Sequence, residues 1–325
     1  MPATMAKIAV TGATGFVGSA LVDKLRTLPR FHVLAWARRT PMNAVSGVQY
    51  VQQGDLSPDA NWQKDLMGLD ALVHTAARVH VMYDTVADPL TEFRRVNVQG
   101  TLNLARQAAA AGVRRFVFLS SIKVNGEGTA LGKPFFANDV PAPLDPYGVS
   151  KMEAEKGLLK IAAETGMEVV IIRPPLVYGP GVKANFQSMM RWLARGVPLP
   201  LGAIHNRRSL VGLDNLVDLI VTCVNHPAAA NQTFLVSDGE DLSTTQLLER
   251  MGQALGKTAR LIPVPSALLK LGAALVGKPA IAQRLCGSLQ VDISKTRQIL
   301  GWEPPLSVDE GLKKAAEAYL REAAV

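Results

Sequence analysis

Tyr147-Gly148-Val149-Ser150-Lys151 sets a phenol and an ammonium four residues apart. On a helix that spacing puts both groups on one face. An ammonium beside a phenol favours the phenolate, so the Tyr147 pKa is expected to fall towards working pH, where the group can give and take a proton. Ser121 lies 26 residues earlier. From the end of a strand its hydroxyl can bond the same substrate oxygen that Tyr147 protonates or deprotonates. Ser120 is the adjacent competitor for that role.

A hydride partner is suggested near the amino terminus. Thr11-Gly12-Ala13-Thr14-Gly15-Phe16-Val17-Gly18 carries three glycines spaced three apart. Gly12 permits a tight turn, Gly15 lets a pyrophosphate approach the backbone, and Gly18 lets a helix pack close to a sheet. Amides at the helix start then face the phosphates. A plain tight turn is the bland alternative, but the position between a strand and a helix favours a dinucleotide site. Asp55 and Leu56 follow a later strand, and Thr75, Ala76 and Ala77 end another with small residues where a cofactor needs room. Each could also be an ordinary loop. The second strand ends Ala35-Trp36-Ala37-Arg38-Arg39, without the acid that commonly bonds the ribose hydroxyls of NAD. Arg38 and Arg39 suit the 2′-phosphate of NADP(H), the expected cofactor, with NAD(H) as the alternative. Two exposed surface arginines would explain the pair equally simply.

These groups need a scaffold. Apolar runs at Lys7–Thr11, His32–Ala37, Val48–Gln52, Ala71–Thr75, Phe116–Ser120 and Val169–Arg173 predict strands. Helical patterns separate them, notably Gly15–Leu28, Pro89–Ala111 and Tyr147–Glu164. Strands this apolar, flanked by helices, imply an α/β fold with a parallel sheet covered on both faces. Ligands bind such sheets beyond the carboxyl ends of the strands, where the motifs above fall. After Arg173 prolines and glycines thicken. Further helices are predicted at Phe186–Ala194, Leu213–Asn225, Thr244–Leu255 and Val308–Glu322, in a smaller substrate-facing lobe. A segment near Leu210–Val236 is expected to return to the main domain. No internal repeat or low-complexity tract is evident.

Composition excludes several classes. The 325 residues are 48% hydrophobic and 19% charged, which suits a folded core and argues against disorder. No signal peptide is evident. The best candidate for a membrane span, Ala267–Val276, contains Lys270 and Gly272 and falls short of the ~20 apolar residues required. It is expected to be a helix that buries one face against the protein. Cys223 and Cys286 are the only cysteines, and the 5 histidines are scattered, so no metal site is expected and the compartment reads as cytoplasmic. The net charge of +8 reads as a solvated basic surface, or as attraction to an anionic small molecule. No basic run or aromatic interleaving points to nucleic acid.

Taken together, the glycine motif, Ala76-Ala77, Asn97 in Val96-Asn97-Val98-Gln99-Gly100-Thr101, Ser121 and Tyr147/Lys151 resemble the extended short-chain dehydrogenase/reductases. This is the nucleotide-sugar epimerase/dehydratase family. Asp292-Ile293-Ser294-Lys295 and Leu300-Gly301-Trp302 extend the resemblance to the end of the chain. It implies a Rossmann-type doubly wound sheet, formed by residues 1–178 with a return segment 209–238. Residues 179–208 and 239–325 would form a mixed α/β nucleotide-sugar lobe. It makes Tyr147 the acid/base, and has Lys151 bind the nicotinamide ribose and tune Tyr147. Ser121 would position the reacting oxygen. Thr75, Asn97 and Pro174 join the cofactor contacts. Asn185 and Arg208, with Arg284 and Lys123, become candidate contacts to a UDP-sugar. Asn185 could equally be a helix cap, and Arg208 a surface charge. The resemblance also implies a homodimer, with no nucleic acid and no membrane insertion.

The reaction turns on Ser120-Ser121-Ile122-Lys123-Val124-Asn125-Gly126. Dehydratases of the family carry an Asp-Glu pair where Ile122 and Lys123 stand, so dehydration is not expected. Asn125 replaces the usual tyrosine. The stretch Arg173-Pro174-Pro175-Leu176-Val177-Tyr178-Gly179-Pro180-Gly181 also resembles bacterial 4-ketoreductases of surface-polysaccharide (O-antigen, lipopolysaccharide) synthesis. These reduce UDP-4-keto-6-deoxy-N-acetylglucosamine to UDP-N-acetylquinovosamine, and that reduction is the expected activity. A 4-epimerase of UDP-glucose or UDP-N-acetylglucosamine is the alternative, and a non-catalytic NADP-binding sensor a remote one.

Overall fold

The apolar runs become ten strands in chain order among the described residues: β1 (Ala6–Thr11), β2 (Phe31–Ala37), β3 (Gln49–Gln52), β4 (Ala71–His74), β5 (Arg115–Leu119), β6 (Glu168–Arg173), β7 (Leu176–Tyr178), β8 (Arg208–Gly212), β9 (Thr233–Leu235) and β10 (Asp241–Leu242). The structure is a computed structural model and describes residues 5–41, 44–79, 88–275, 277 and 279–323. The helices are α1 (Phe16–Arg26), α2 (Gln63–Leu66), α3 (Pro89–Phe93), α4 (Thr101–Ala110), α5 (Pro146–Thr165), α6 (Ala184–Ala194), α7 (Leu213–Asn225), α8 (Thr244–Ala254), α9 (Ser266–Leu275), α10 (Pro279–Cys286), α11 (Ser294–Leu300) and α12 (Val308–Ala323).

Seven strands form one sheet in the order β3-β2-β1-β4-β5-β6-β9, and every pairing is parallel. The chain leaves β1 to one side for β2 and β3, then crosses back to β4 on the other. That reversal opens a crevice at the carboxyl ends of β1 and β4, the place where such sheets bind dinucleotides. The strands are apolar on both faces because both are covered. Ile8 and Val10 of β1 pack with Val170 and Ile172 of β6 on one side. Ala9 packs with Val169 and Ile171 on the other. The fold is the Rossmann-type α/β fold expected from the sequence.

A smaller mixed sheet, β10-β8-β7, heads the second lobe. β8 runs parallel to β7 and antiparallel to β10. Within residues 209–238, therefore, β8 belongs to the small sheet while β9 joins the main one beside β6. A separate apolar cluster fills this lobe, built from Tyr178, Phe186, Met190, Leu248 and Leu312 among others.

Two expectations from sequence need correction. The helix predicted over Pro89–Ala111 is interrupted by a π-helical segment, Arg94–Gly100, between α3 and α4. π-segments inside helices often mark functional sites. Here the segment carries Asn97, whose amide reaches two partners in other parts of the fold. The second correction concerns Ala267–Val276. Val276 lies outside the described residues, and no residue of α9 is fully buried; Leu269 alone packs partly onto the lobe's core, so the helix covers its inner face only in part.

Candidate active site

The glycine turn follows β1. Gly12 has a left-handed backbone (φ +66°), and a Cβ there would meet the Ala76 amide nitrogen at 2.8 Å. A Cβ on Gly18 would lie 2.1 Å from the Gly12 carbonyl oxygen. Both positions therefore exclude any larger residue. No side chain caps the first turn of α1, and no acid stands in it. The amides of Phe16, Val17 and Gly18 thus open the helix with its positive dipole end unopposed, a fit for an anionic pyrophosphate. Thr75 donates its hydroxyl to the Thr11 carbonyl at 2.7 Å and walls the turn from the β4 side.

At the end of β2, Arg38 and Arg39 are exposed. Arg38 donates to Asp55 at 3.3 Å, bringing a carboxylate to a strand end that has none in sequence. Leu56 is half-buried against the core on one face of the sheet.

β4 ends at His74, which is buried and bridges Thr11 (2.7 Å) and Thr101 (3.0 Å) while stacking on Phe118. Burial, with a smaller contribution from the Lys151 charge, pushes its pKa down to about 3. Between the ordinary 6.5 and 3, the unfolded chain binds a proton that the folded chain refuses. Stability from this group is therefore complete above pH ~6.5 and falls as pH drops towards 3, by up to ~5 kcal/mol. Urea titrations at pH 7 and pH 4 should show a smaller stability difference in His74→Asn than in the native protein. Equal differences would exclude His74 as the source.

The reacting groups come from β5 and α5. Asp145 caps α5 by accepting from the Gly148 amide at 2.6 Å, and Pro146 occupies the first helical turn. This start fixes Tyr147 in the first turn and Lys151 one turn on. Phe93 packs edge-on against the Tyr147 ring at 6.0 Å. Lys151 is buried, donates to the Leu119 carbonyl at 2.8 Å and sits 4.4 Å from the Phe118 ring centroid. Burial lowers its pKa to about 7, against the pull of Glu155.

Tyr147 departs from expectation. Burial, reinforced by the Asp145 carboxylate, raises its pKa instead of lowering it. The Lys151 ammonium lies 5.9 Å from the Tyr147 ring centroid and donates to a backbone carbonyl, so its proton goes to that carbonyl rather than to the phenol. Lys123 pairs with Asp145 and lies 3.4 Å from Glu127, which partly offsets the carboxylate that acts on Tyr147.

The two serines separate clearly. Ser121 caps a short 3-10 turn, Ile122–Val124, and its hydroxyl accepts from the Lys123 amide at 3.3 Å. Ser120 is buried and donates to Glu155, so it does not compete. It belongs to a buried network missed from sequence. Arg173 grips Glu155 through two nitrogens at 2.6 and 3.0 Å and donates to Asn125 at 2.9 Å. Asn125, where the family has tyrosine, also donates to the Phe136 carbonyl. The available signal was an arginine closing an otherwise apolar strand. The Ile122 amide bonds the Pro174 carbonyl at 3.0 Å, tying the serine turn to β6. Asn97 donates to the Arg78 carbonyl and the Ser150 hydroxyl, joining the loop after β4 to α5.

In the second lobe Asn185 is exposed and is no cap, because Lys183 holds that position at the start of α6. Arg208 on β8 is half-buried and donates to the carbonyls of Arg284 (3.0 Å) and Gly287 (3.1 Å). Burial lowers its pKa, and among the described residues no carboxylate pairs with it. It can therefore meet an anion. The Arg284 side chain itself is exposed. A polar cavity of about 870 Å³ lies elsewhere in this lobe and includes none of Ser121, Tyr147 and Lys151. Among the described residues no cluster of His, Cys, Asp and Glu could hold a metal ion.

A glycine turn at a sheet crevice, with Ser121 just after β5 and Tyr147 and Lys151 at the start of α5, is the arrangement expected of a short-chain dehydrogenase/reductase. The model of the NAD dependent epimerase/dehydratase family matches residues 8–237, and the chain belongs to that family. A Vibrio cholerae protein named UDP-glucose 4-epimerase is 52% identical over 315 residues, which is 97% of this chain and 95% of that protein. The solved structure of MoeE5 in complex with UDP-glucose and NAD superposes with a TM-score of 0.75 at 26% identity, covering 98% of this chain and 100% of that one. The Bacillus cereus UDP-glucuronic acid 4-epimerase with NAD shares the fold, with a TM-score of 0.77 at 21% identity over 97% and 99% of the two chains.

Proposed function

We propose that the enzyme is a UDP-sugar 4-epimerase. The observation that carries this reading is the 52% identity, over nearly the whole of both chains, to a UDP-glucose 4-epimerase. It ranks above the 4-ketoreductase expected from sequence. Dehydration has no support, since Ile122 is buried and apolar and the Lys123 ammonium is paired with Asp145.

The cradle of Gly12, Gly15 and Gly18 fits a dinucleotide pyrophosphate, with Thr14, Phe16 and Val17 completing the turn and Ala76 and Ala77 leaving room beside it. A dinucleotide held there would supply a reversible hydride acceptor for sugar carbon 4, which epimerisation needs so that hydride can leave one face and come back to the other. Tyr147 removes the proton of the 4-hydroxyl and later restores it. Ser121 holds the same oxygen. Lys151, freed from the Leu119 carbonyl towards the nicotinamide ribose, brings its ammonium closer to Tyr147 and counters the burial that keeps the phenol protonated. Arg208 meets the UDP diphosphate, with Arg284 and Asn185 at the rim of that contact.

We read the cofactor as NAD. Asp55 beside Arg38 supplies an acid near the ribose and repels an added 2′-phosphate. The second reading is reduction of a UDP-4-keto-6-deoxy sugar by NADPH. It is favoured by one observation, the exposed Arg38-Arg39 pair at the end of β2.

The protein purified without added cofactor is expected to retain NAD and to interconvert UDP-glucose and UDP-galactose. Stoichiometric oxidation of added NADPH by a UDP-4-keto-6-deoxy sugar, with no interconversion, would favour the reductase instead.

A further inference from the structure

The α9–α10 hairpin is unlike the rest of the surface. Leu268, Leu271 and Leu275 recur at helical spacing along α9 and are 59%, 59% and 80% exposed. Ile262 just before α9 and Ile281 on α10 are about half exposed. Only Leu269 of α9 packs onto the lobe's core. Scattered single leucines on a surface are ordinary, but four large aliphatic side chains on one hairpin, with Ile262 leading into it, mark an interaction face.

Charge indicates what covers it. Residues 251–291 contain Lys257, Arg260, Lys270, Lys278 and Arg284, and no aspartate or glutamate. Among the described residues, none of Lys257, Arg260, Lys270 and Arg284 pairs with a carboxylate. A second copy of this face would bring like charges together across a two-fold axis, so self-association is disfavoured. An anionic sheet of lipid headgroups would meet both the leucines and the cations. At ten residues α9 is about 15 Å long, too short to cross a bilayer but long enough to lie in its interface. No described helix is long and apolar enough to span a membrane.

We propose that α9 and α10 form a docking face for an anionic phospholipid surface, with the leucines seated among the headgroups and the cations at their rim. The same hairpin anchors the site lobe, because Arg208 holds the carbonyls at the end of α10. The segment between the Ile122–Val124 turn and α5 joins it as well. The Thr129 amide bonds the Ser288 carbonyl at 2.9 Å, and nearby Leu131 is exposed. Docking therefore holds the enzyme with its second lobe against the membrane.

The test is co-sedimentation of the full-length protein with vesicles. Vesicles of phosphatidylglycerol and phosphatidylethanolamine should bind it at least ~10-fold better than phosphatidylcholine vesicles at low salt. Replacing Lys270 and Arg260 by Gln should weaken binding about fivefold per charge. The triple variant Leu268→Glu/Leu271→Glu/Leu275→Glu should lose vesicle binding while its turnover of a soluble sugar nucleotide stays within about twofold, since these side chains are mostly exposed and lie outside the lobe's apolar core. Equal binding to both vesicle types, or none to either, overturns the proposal. So does a triple variant that changes oligomeric state but keeps its vesicle binding, which would assign the face to a second copy.

Discussion

Tyr147→Phe is expected to lower turnover by about 10²–10⁴-fold, the usual contribution of a positioned acid/base group. The substitution removes only the hydroxyl. The ring keeps its edge contact with Phe93, and α5 keeps its cap on Asp145. Dinucleotide binding, measured by fluorescence or calorimetry, should therefore survive. Phe removes the one group whose charge must change during the reaction, so substrate affinity should move much less than turnover. Retained activity would take Tyr147 out of the mechanism. Loss of dinucleotide binding along with activity would show that the residue holds the cofactor rather than moving a proton.

The second large effect concerns stability. Arg173 is buried and satisfies Glu155, which also accepts from Ser120. Arg173→Met leaves the Glu155 carboxylate buried with a single hydroxyl bonded to it and only the unbonded Lys151 charge to offset it. Breaking a buried ion pair from one side costs about 3–5 kcal/mol, mostly the desolvation of the orphaned charge. Urea unfolding should show a loss of that size. The double variant Arg173→Met/Glu155→Leu should recover at least half of it, because no charge is then stranded. A double variant as unstable as the single one would mean that Arg173 acts through packing and its bond to Asn125 instead.

The parts of this molecule fixed by local chemistry were legible in the sequence. The turn at Gly12 and the close approach at Gly18 need those residue types wherever the chain goes next. The β6 run of Val169, Val170, Ile171 and Ile172 is apolar because it is covered on both faces. The helical pattern of Tyr147–Glu164 gave α5 to within one residue at either end. What was not legible depends on contacts far apart in the chain. The π-segment around Asn97 looks like ordinary helix because its apolar spacing continues, and the partners of that asparagine, Arg78 and Ser150, come from elsewhere. Four-residue spacing placed Lys151 beside Tyr147 but could not show that its ammonium turns to the Leu119 carbonyl. The expectation for the Tyr147 pKa failed there, since burial, reinforced by Asp145, outweighs the cations nearby. The apolar run in α9 suggested burial against the protein, yet the fold leaves those leucines facing outward.

The central claim is that hydride leaves carbon 4 of a UDP-sugar and comes back to the same carbon. The most direct measurement uses UDP-glucose deuterated at carbon 4, incubated with the protein as purified. UDP-galactose should form with the deuterium kept at carbon 4, and none lost to water or to added NAD. Product without the label, or no UDP-galactose at all, would contradict it.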